Sequence, residues 1–162
     1  FLFNLIQPLK PKAKIEVYRE DANILAERIN SDVVYLDPPY NSRQYSRFYH
    51  LLENLTQWKK PDLHGTALKP DPENISDYCK TSAPDSLADL IAKLKCKIIV
   101  LSYNNTYNSK SSSSKNKISL EQIKKILNEK GKTKMLKKKY AHFNAGKTNF
   151  SNHHEYLFIT KI

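Results

Sequence analysis

The order of apolar and polar residues divides the chain into alternating strands and helices. Residues 15–20 alternate between apolar and polar side chains, and 33–37 and 97–103 are mainly apolar, so we predict three strands, the last one buried on both faces. Apolar residues at helical spacing predict helices over 22–29, 46–57 and 85–94. Connections of this length usually join parallel strands, so the pattern favours an α/β domain.

The C-terminal third continues with a helix and two strands. Ser119 and Gln122 form a capping-box pattern for a helix over 120–130, and Gly131 is placed to end it. Strands over 133–143 and 155–162, joined by a polar turn at 144–153, predict a closing antiparallel hairpin. Three lysines at 137–139 would keep the first of these strands from pairing with other sheet edges.

Both ends of the pattern are less regular. Residues 1–9 carry apolar side chains at helical spacing and predict the tail of a helix, which prolines stop. Residues 58–84 form a long polar, proline-containing loop, a kind of segment that often has a function. The serine and lysine run at 108–117 predicts a mobile segment.

Length and composition favour one cytoplasmic domain. The 162 residues include 40% hydrophobic and 27% charged residues, with no apolar run long enough to span a membrane and no signal-peptide pattern. Two cysteines without zinc-site spacing indicate a reducing compartment, and we expect no metal site and no disulfide framework.

The net charge of +11 is unevenly distributed along the chain. Residues 1–54 carry seven basic and seven acidic side chains, so the whole excess lies in residues 55–162. Between Lys110 and Lys147 the sequence contains twelve lysines and only two acidic residues, Glu121 and Glu129. Such a field attracts a polyanion, although a lysine-rich composition with solvated faces accounts for it equally well.

The strand at 33–37 runs directly into Asp37-Pro38-Pro39-Tyr40. Because proline lacks an amide hydrogen and fixes φ, the two prolines end the strand and place Asp37 at the carboxyl edge of the sheet, where open α/β sheets bind ligands. Asp37 and the Pro38 carbonyl can each accept one hydrogen of a planar amino group, while the Tyr40 ring stacks on its heterocycle.

This Asp-Pro-Pro-Tyr run resembles the catalytic motif of the amino-directed DNA methyltransferases. The longer run over 37–54 is similar to the Dam and FokI-type adenine methyltransferases of restriction-modification systems. The likeness continues at Gln57-Trp58, at 102–104 and at 155–158. It implies a class I, Rossmann-like sheet that ends in an antiparallel hairpin. It also implies transfer of a methyl group from S-adenosylmethionine to N6 of an adenine flipped out of double-stranded DNA.

The resemblance implies roles for individual residues. The catalytic candidates are Asp37, Pro38, Pro39 and Tyr40, and the cofactor-binding candidates are Asp21, Ala22 and Asp37. The candidates for contacts with DNA or the target base are Arg43, Gln44, Tyr45, Arg47, Tyr103, Asn104, Lys137 and Lys139. By position, the 58–84 loop could help to select the target sequence.

Local structure explains some of these residues without a ligand. Asp21 is also placed to cap the following helix, and Tyr45 and Arg47 to pack against their own helix. Tyr103 and Asn104 are equally plausible as ordinary residues at the end of a strand.

One family feature is missing from the chain. The glycine-rich turn after the first family strand has no counterpart, because the chain contains only Gly65, Gly131 and Gly146 and none follows a strand in the required way. The resemblance therefore covers roughly the second half of such an enzyme, as a partial catalytic domain over 1–162. The 15–20 strand would then pair directly with 33–37, stay loose, or require another polypeptide. We expect 33–37, 98–103 and the hairpin to form one sheet, with 1–20 least secure.

Three functional alternatives stay open at this point. The chain is an adenine methyltransferase fragment, a catalytically silent DNA-binding remnant or half of a split enzyme, or an RNA-directed methyltransferase. The N4 amino group of cytosine is chemically similar, so the assignment of adenine as the target base depends on Asp37 and on the family resemblance. No Pro-Cys pair of the kind used by cytosine-carbon methyltransferases is present.

Overall fold

The computed structural model describes residues 12–66, 68–73, 75–106, 115–140 and 153–162, which form a four-stranded mixed sheet with helices. The strands are β1 (Asn30–Leu36), β2 (Lys95–Asn104), β3 (Lys132–Lys139) and β4 (His154–Lys161). The helices are α1 (Ala22–Leu25), α2 (Tyr45–Phe48), α3 (His50–Gln57), α4 (Ala83–Lys93) and α5 (Leu120–Lys130), with a 3₁₀ turn at Asp77–Cys79.

The sheet order is β1-β2-β4-β3. β1 pairs with β2 in parallel, and β4 lies antiparallel between β2 and β3. One sheet therefore contains β1, β2 and the two C-terminal strands, as the sequence predicts. β3 is one edge of this sheet and carries five lysines, at positions 132, 134, 137, 138 and 139.

The hydrophobic core lies between the sheet and the helices α4 and α5. Ile99, Leu101 and Tyr103 of β2 and Phe158 of β4 are completely buried. The helices contribute their predicted apolar faces, which include the buried side chains of Leu87, Leu90, Ile91, Ile123 and Leu127. Burial of such side chains stabilises the fold by about 1.5–3 kcal/mol each.

The start and end of α5 are as predicted. The Ser119 hydroxyl accepts a hydrogen bond from the Gln122 amide at 3.1 Å, and the Gln122 side chain accepts one from the Ser119 amide at 2.8 Å. Gly131 ends the helix beside β4, where a Cβ atom would lie 2.3 Å from the Lys161 carbonyl oxygen. Only glycine therefore permits this close approach of α5 to the last strand.

The other face of the sheet is less covered than the sequence predicts. Val33 and Tyr35 of β1 share this face with their β2 partners Ile98 and Val100. Val33 is 52% and Tyr35 61% exposed, and Ile98 and Val100 are only half-buried. The expectation that the strand over 97–103, which is β2, is buried on both faces is therefore wrong, because α4 and α5 cover one face only.

The strand predicted over 15–20 is absent. Residues 14–19 have no regular structure, and Ile15 and Val17 are 66% and 89% exposed. An alternating segment becomes a strand only when a neighbouring strand satisfies its backbone groups, and none of the described residues pairs with it. The outer edge of β1 is likewise unpaired among the described residues. The helix predicted over 22–29 is also shorter, because α1 ends at Leu25 and turns follow it.

The single helix predicted over 46–57 is two helices. α2 and α3 meet at Tyr49, whose φ of −102° and ψ of 12° are not helical. Leu51, Leu52 and Leu55 of α3 are between 60% and 71% exposed, so their apolar face is not packed in the described structure. α3 ends at Gln57, and the next residue, Trp58, adopts the left-handed conformation with φ of 53°.

Several predictions lie outside the described residues. These are the helix tail at 1–9, most of the 108–117 segment and nearly all of the turn at 144–153. Within the described residues, no helix has both the length and the apolar character needed to cross a membrane.

Candidate active site

The Asp37-Pro38-Pro39-Tyr40 turn begins where β1 ends, at Leu36. Two cavities adjoin this turn, and Pro39 lines both of them. The larger cavity has a volume of about 670 Å³, and the smaller one about 200 Å³. The turn therefore borders two potential ligand sites.

The larger cavity brings the predicted cofactor residues together. Asp21 and Ala22 line it from the start of α1, and Asp37 and Pro38 line it from the end of β1. Its remaining walls include the apolar or aromatic side chains of Tyr35, Leu36, Ile75, Tyr78, Leu87 and Leu90. Apolar walls with a few polar groups are typical of sites for small organic ligands.

Asp21 caps α1 while it lines this cavity. Its Oδ1 accepts hydrogen bonds from the amides of Asn23 at 2.9 Å and Ile24 at 3.2 Å. The Tyr78 hydroxyl donates to Asn23 Oδ1 at 2.9 Å, which fixes α1 against the opposite wall. Because both capping bonds end on Oδ1, Oδ2 of Asp21 has no hydrogen bond from the described residues and is available to a ligand.

Tyr40 contacts both Asp37 and β2. Its hydroxyl donates to Asp37 Oδ1 at 2.7 Å, and its ring packs edge-on against Tyr103, with centroids 4.9 Å apart. The Tyr103 hydroxyl donates in turn to the Tyr40 carbonyl at 3.1 Å. Burial raises the pKa of Tyr103 to about 12 and lifts the pKa of Tyr40 above its ordinary value. Both phenols therefore keep their protons at neutral pH and act as donors.

The smaller cavity adjoins the Tyr40 end of the turn and is mainly aromatic. It is lined by Pro39, Tyr40, Asn41, Arg43, Tyr45 and Tyr49. The rings of Tyr45 and Tyr49 are stacked, with centroids 6.0 Å apart and planes within 5° of parallel. A flat heterocycle would find stacking partners here. Sequence reasoning assigned no role to Tyr49, although its position four residues after Tyr45 is a usable signal.

Other predicted residues have structural contacts around the turn. Gln44 accepts a hydrogen bond from the Ser76 amide at 3.1 Å and so attaches the start of α2 to the loop before the 3₁₀ turn. Asn104 is 8% exposed and accepts from the Thr106 amide at 3.2 Å. Lys137 and Lys139 lie on β3, at the opposite edge of the sheet from β1. The side chain of Arg47 lies outside the described structure.

Two further polar residues lie close to Asp37 without a predicted role. The Ser102 side chain opposes the rise in the pKa of Tyr40 that burial causes. Glu155 is the register partner of Asn104, and burial raises the pKa of the Glu155 carboxyl, with a smaller contribution from Asp37. Both residues come from strands that neighbour each other in the sheet, so pairing places them near the turn.

Comparison with known proteins now identifies the family. The model of the D12 class N6 adenine-specific DNA methyltransferase family matches residues 3–153. The chain belongs to this family. The family predicted from Asp37–Tyr40 and the residues that follow is thereby confirmed.

Individual methyltransferases show the same relationship. The chain is 46% identical over 92 residues to the modification methylase StsI of Streptococcus sanguinis, covering 56% of the chain and 14% of that protein. It is 36% identical over 151 residues to the type II methyltransferase M.FokI of Planomicrobium okeanokoites, covering 88% and 22%. For M.NlaIII of Neisseria lactamica the identity is 35% over 151 residues, which cover 89% of the chain and 42% of that protein.

The chain thus spans less than half the length of these methyltransferases. No solved structure matches it significantly.

Proposed function

We propose that the chain is the part of a restriction-modification DNA methyltransferase that holds the target amine, and that it methylates N6 of adenine in double-stranded DNA. The observation that carries the proposal is the Asp37–Tyr40 turn, which contributes residues to two neighbouring cavities. Direct methyl transfer needs the donor methyl group and the acceptor nitrogen in contact and in line, and residues that border both cavities can hold the two reactants next to each other.

The residues of the larger cavity fit the nucleoside part of S-adenosylmethionine. Its 670 Å³ is within the range of about 300–1,000 Å³ common for small-molecule sites. Tyr78, Leu87 and Leu90 suit a purine ring, and Oδ2 of Asp21 can accept a hydrogen bond from a ribose hydroxyl or an amino group. When bound, this cofactor supplies an electrophilic methyl group.

The residues of the turn would prepare the amine for methylation. The Asp37 carboxylate and the Pro38 carbonyl accept the two amino hydrogens, which favours a more pyramidal nitrogen whose lone pair is free to react. The negative charge of Asp37 also stabilises the positive charge that develops on that nitrogen. Tyr40 and Tyr45 would stack on the base in the smaller cavity, and Arg43 would contact a flanking phosphate.

The remainder of a longer methyltransferase would complete the sheet in a Rossmann-like arrangement. Two features support this. The outer edge of β1 is unpaired among the described residues, and the exposed, strand-patterned residues Ile15 and Val17 precede Arg19, which lines the same cavity as Tyr35 of β1. Added strands between them, from a preceding segment or a second polypeptide, would complete the sheet. They would also bring the glycine-rich turn that is absent from this chain.

The proposal is tested by titrating S-adenosylmethionine calorimetrically into two proteins. One is the 162-residue chain, and the other is the same chain with whatever its gene encodes upstream. We expect the longer protein to bind the cofactor tightly and to transfer its tritiated methyl group to plasmid DNA. We expect Asp37→Ala to abolish transfer, whereas Asp32→Asn, at the other end of β1, keeps it. Full activity of Asp37→Ala would refute the proposal.

A second variant separates the capping role of Asp21 from ligand binding. Asp21→Ser keeps an N-cap acceptor for α1 but removes the second carboxylate oxygen. We expect the thermal midpoint to stay within a few degrees and the cofactor Kd to rise about tenfold, as expected for loss of one charged hydrogen bond. An unchanged Kd would show that Asp21 is a cap only.

A catalytically silent, DNA-binding remnant is the second candidate. The absence of a glycine-rich turn in a chain with only three glycines favours it. DNA binding without cofactor binding in both proteins would support this candidate.

A further inference from the structure

The Asp37 carboxylate has one hydrogen-bond donor among the described residues, the hydroxyl of Tyr40 at 2.7 Å. Asp37 itself is exposed. A solvent-exposed carboxylate turns freely about its terminal torsion unless a hydrogen bond holds it. The Tyr40 hydroxyl therefore decides which oxygen of Asp37 is engaged and which one is free to face a substrate.

Tyr40 is itself firmly held from two directions. Its carbonyl accepts hydrogen bonds from the Tyr103 hydroxyl at 3.1 Å and from the Lys117 amide at 2.8 Å. Its ring packs edge-on against Tyr103, which is completely buried. The well-packed strand β2 thus fixes Tyr40, and Tyr40 in turn fixes Asp37.

The ring and the hydroxyl of Tyr40 have separate surroundings. The residue lines the 200 Å³ cavity with Pro39, Tyr45 and Tyr49, where the ring can stack on a base. The hydroxyl is hydrogen-bonded to Asp37. Stacking and orientation of the carboxylate are therefore different tasks, and removing the hydroxyl alone separates them.

We infer that the Tyr40 hydroxyl is a positioning group that holds Asp37 Oδ1 and directs Oδ2 towards the amino group to be methylated. This inference rests on the proposed function and adds a second role to a residue otherwise expected only to stack on the base. No proton is transferred by Tyr40, since burial keeps its pKa above the ordinary value.

The kinetic test uses the full polypeptide that carries this chain, with S-adenosylmethionine and plasmid DNA as substrates. Tyr40→Phe removes the hydroxyl and keeps the ring. We expect kcat to fall about 10- to 100-fold, the effect of losing one hydrogen bond to a charged group, while KM for DNA stays within about twofold. Tyr140→Phe, an exposed tyrosine at the end of β3, is the matched control with unchanged kinetics.

A wild-type kcat in Tyr40→Phe, together with impaired DNA binding in Tyr40→Ala, would mean that Tyr40 only stacks, and would overturn the inference. An inactive wild-type protein would contradict the proposed function and the positioning role with it. Failure of the positioning role alone leaves an active wild-type protein, whereas failure of the proposed function does not, so the two failures are distinguishable.

A second measurement observes the hydrogen bond without any reaction. In protein labelled with ¹³Cζ-tyrosine, the Tyr40 hydroxyl proton should exchange slowly with solvent, and Asp37→Ala should accelerate the exchange. Tyr40→Phe assigns the resonance because it removes the signal. Exchange as rapid as that of the exposed Tyr140 would show that the hydroxyl is not held, and would overturn the inference.

Discussion

Two regions of this methyltransferase chain use apolar residues with opposite results. Around β2 and β4, Ile99, Leu101 and Phe158 are completely buried against α4 and α5. Around β1 and α3, Val17 is 89% and Leu51 71% exposed, although their sequence patterns are as regular. The difference lies in the neighbours, since an apolar stripe forms a core only where a second element covers it.

The candidate site lies where these two regions meet. Asp37–Tyr40 follows β1, the strand with the open edge, yet Tyr40 is held by Tyr103 and Lys117 from the well-packed region. The Asp37–Tyr40 turn is therefore held by hydrogen bonds at its Tyr40 end, next to the smaller cavity. On the side of the larger cavity it borders residues 19–22, which follow a segment without strand pairing.

The largest expected difference between the regions is in amide hydrogen exchange of the 162-residue chain. Amides of 97–103 should exchange only on global unfolding, which for a domain costs about 5–15 kcal/mol. Amides of 15–20 should exchange at nearly the unprotected rate, because they make no strand hydrogen bonds. Exchange detected by mass spectrometry measures both. Equal protection of the two segments would remove the contrast.

Side-chain truncation sharpens the same contrast. Phe158→Ala should lower the free energy of unfolding by about 3–5 kcal/mol, because it leaves a cavity in a completely buried site. Leu52→Ala, on the exposed face of α3, should change it by less than about 0.5 kcal/mol. Urea denaturation gives both values. A large cost for Leu52→Ala in a longer polypeptide would show that the remainder covers α3.

The two described glycines differ in why they are needed. Gly131→Ala would place a Cβ atom 2.3 Å from the Lys161 carbonyl, so the backbone of α5 or β4 must move, and we expect a loss of about 1–3 kcal/mol. Gly65 has open space around it but a φ of +69°, so Gly65→Ala should cost about 1 kcal/mol through backbone strain alone. Thermal denaturation compares the two. A costlier change at Gly65 would contradict the packing argument.

The smallest expected effect concerns Glu155. Burial raises the pKa of its carboxyl above the usual 4.5, so the folded state binds this proton more tightly than the unfolded state does. Its contribution to stability is full below pH 4.5 and decreases as the pH rises through the raised pKa. Glu155→Gln should flatten this part of the curve of melting temperature against pH, whereas Glu73→Gln in an exposed loop should not. Identical curves of melting temperature against pH for the wild type and Glu155→Gln would refute the conclusion that burial raises the pKa of Glu155.

Much of the fold was predictable because its determinants are local. The capping box of α5, the apolar face of α4 and the apolar run of β2 each lie within about a dozen residues, and the structure contains all three elements. The strand expected over 15–20 failed because pairing is a long-range property. Its alternating pattern is correct for a strand, but no described residue supplies the partner.

The location of the candidate site was predictable, but its contacts were less so. Two prolines after an apolar strand were sufficient to place Asp37 at the end of β1, and Asp21 lines the same cavity. The hydrogen bond from Tyr40 to Asp37 was not predictable, because it depends on how the turn packs against Tyr103. Tyr49 was missed since the sequence pattern predicted one continuous helix across it.

The unlike edges of the sheet also determine how copies of the isolated chain would associate. β3 presents a row of lysines, which repels another strand, whereas the outer edge of β1 is open among the described residues. Two copies can join through β1 about a twofold axis, and this contact uses the one open edge of each copy. Fibril growth by strand pairing needs two adhesive edges per molecule, so pairing of the described strands alone should take this chain no further than the dimer.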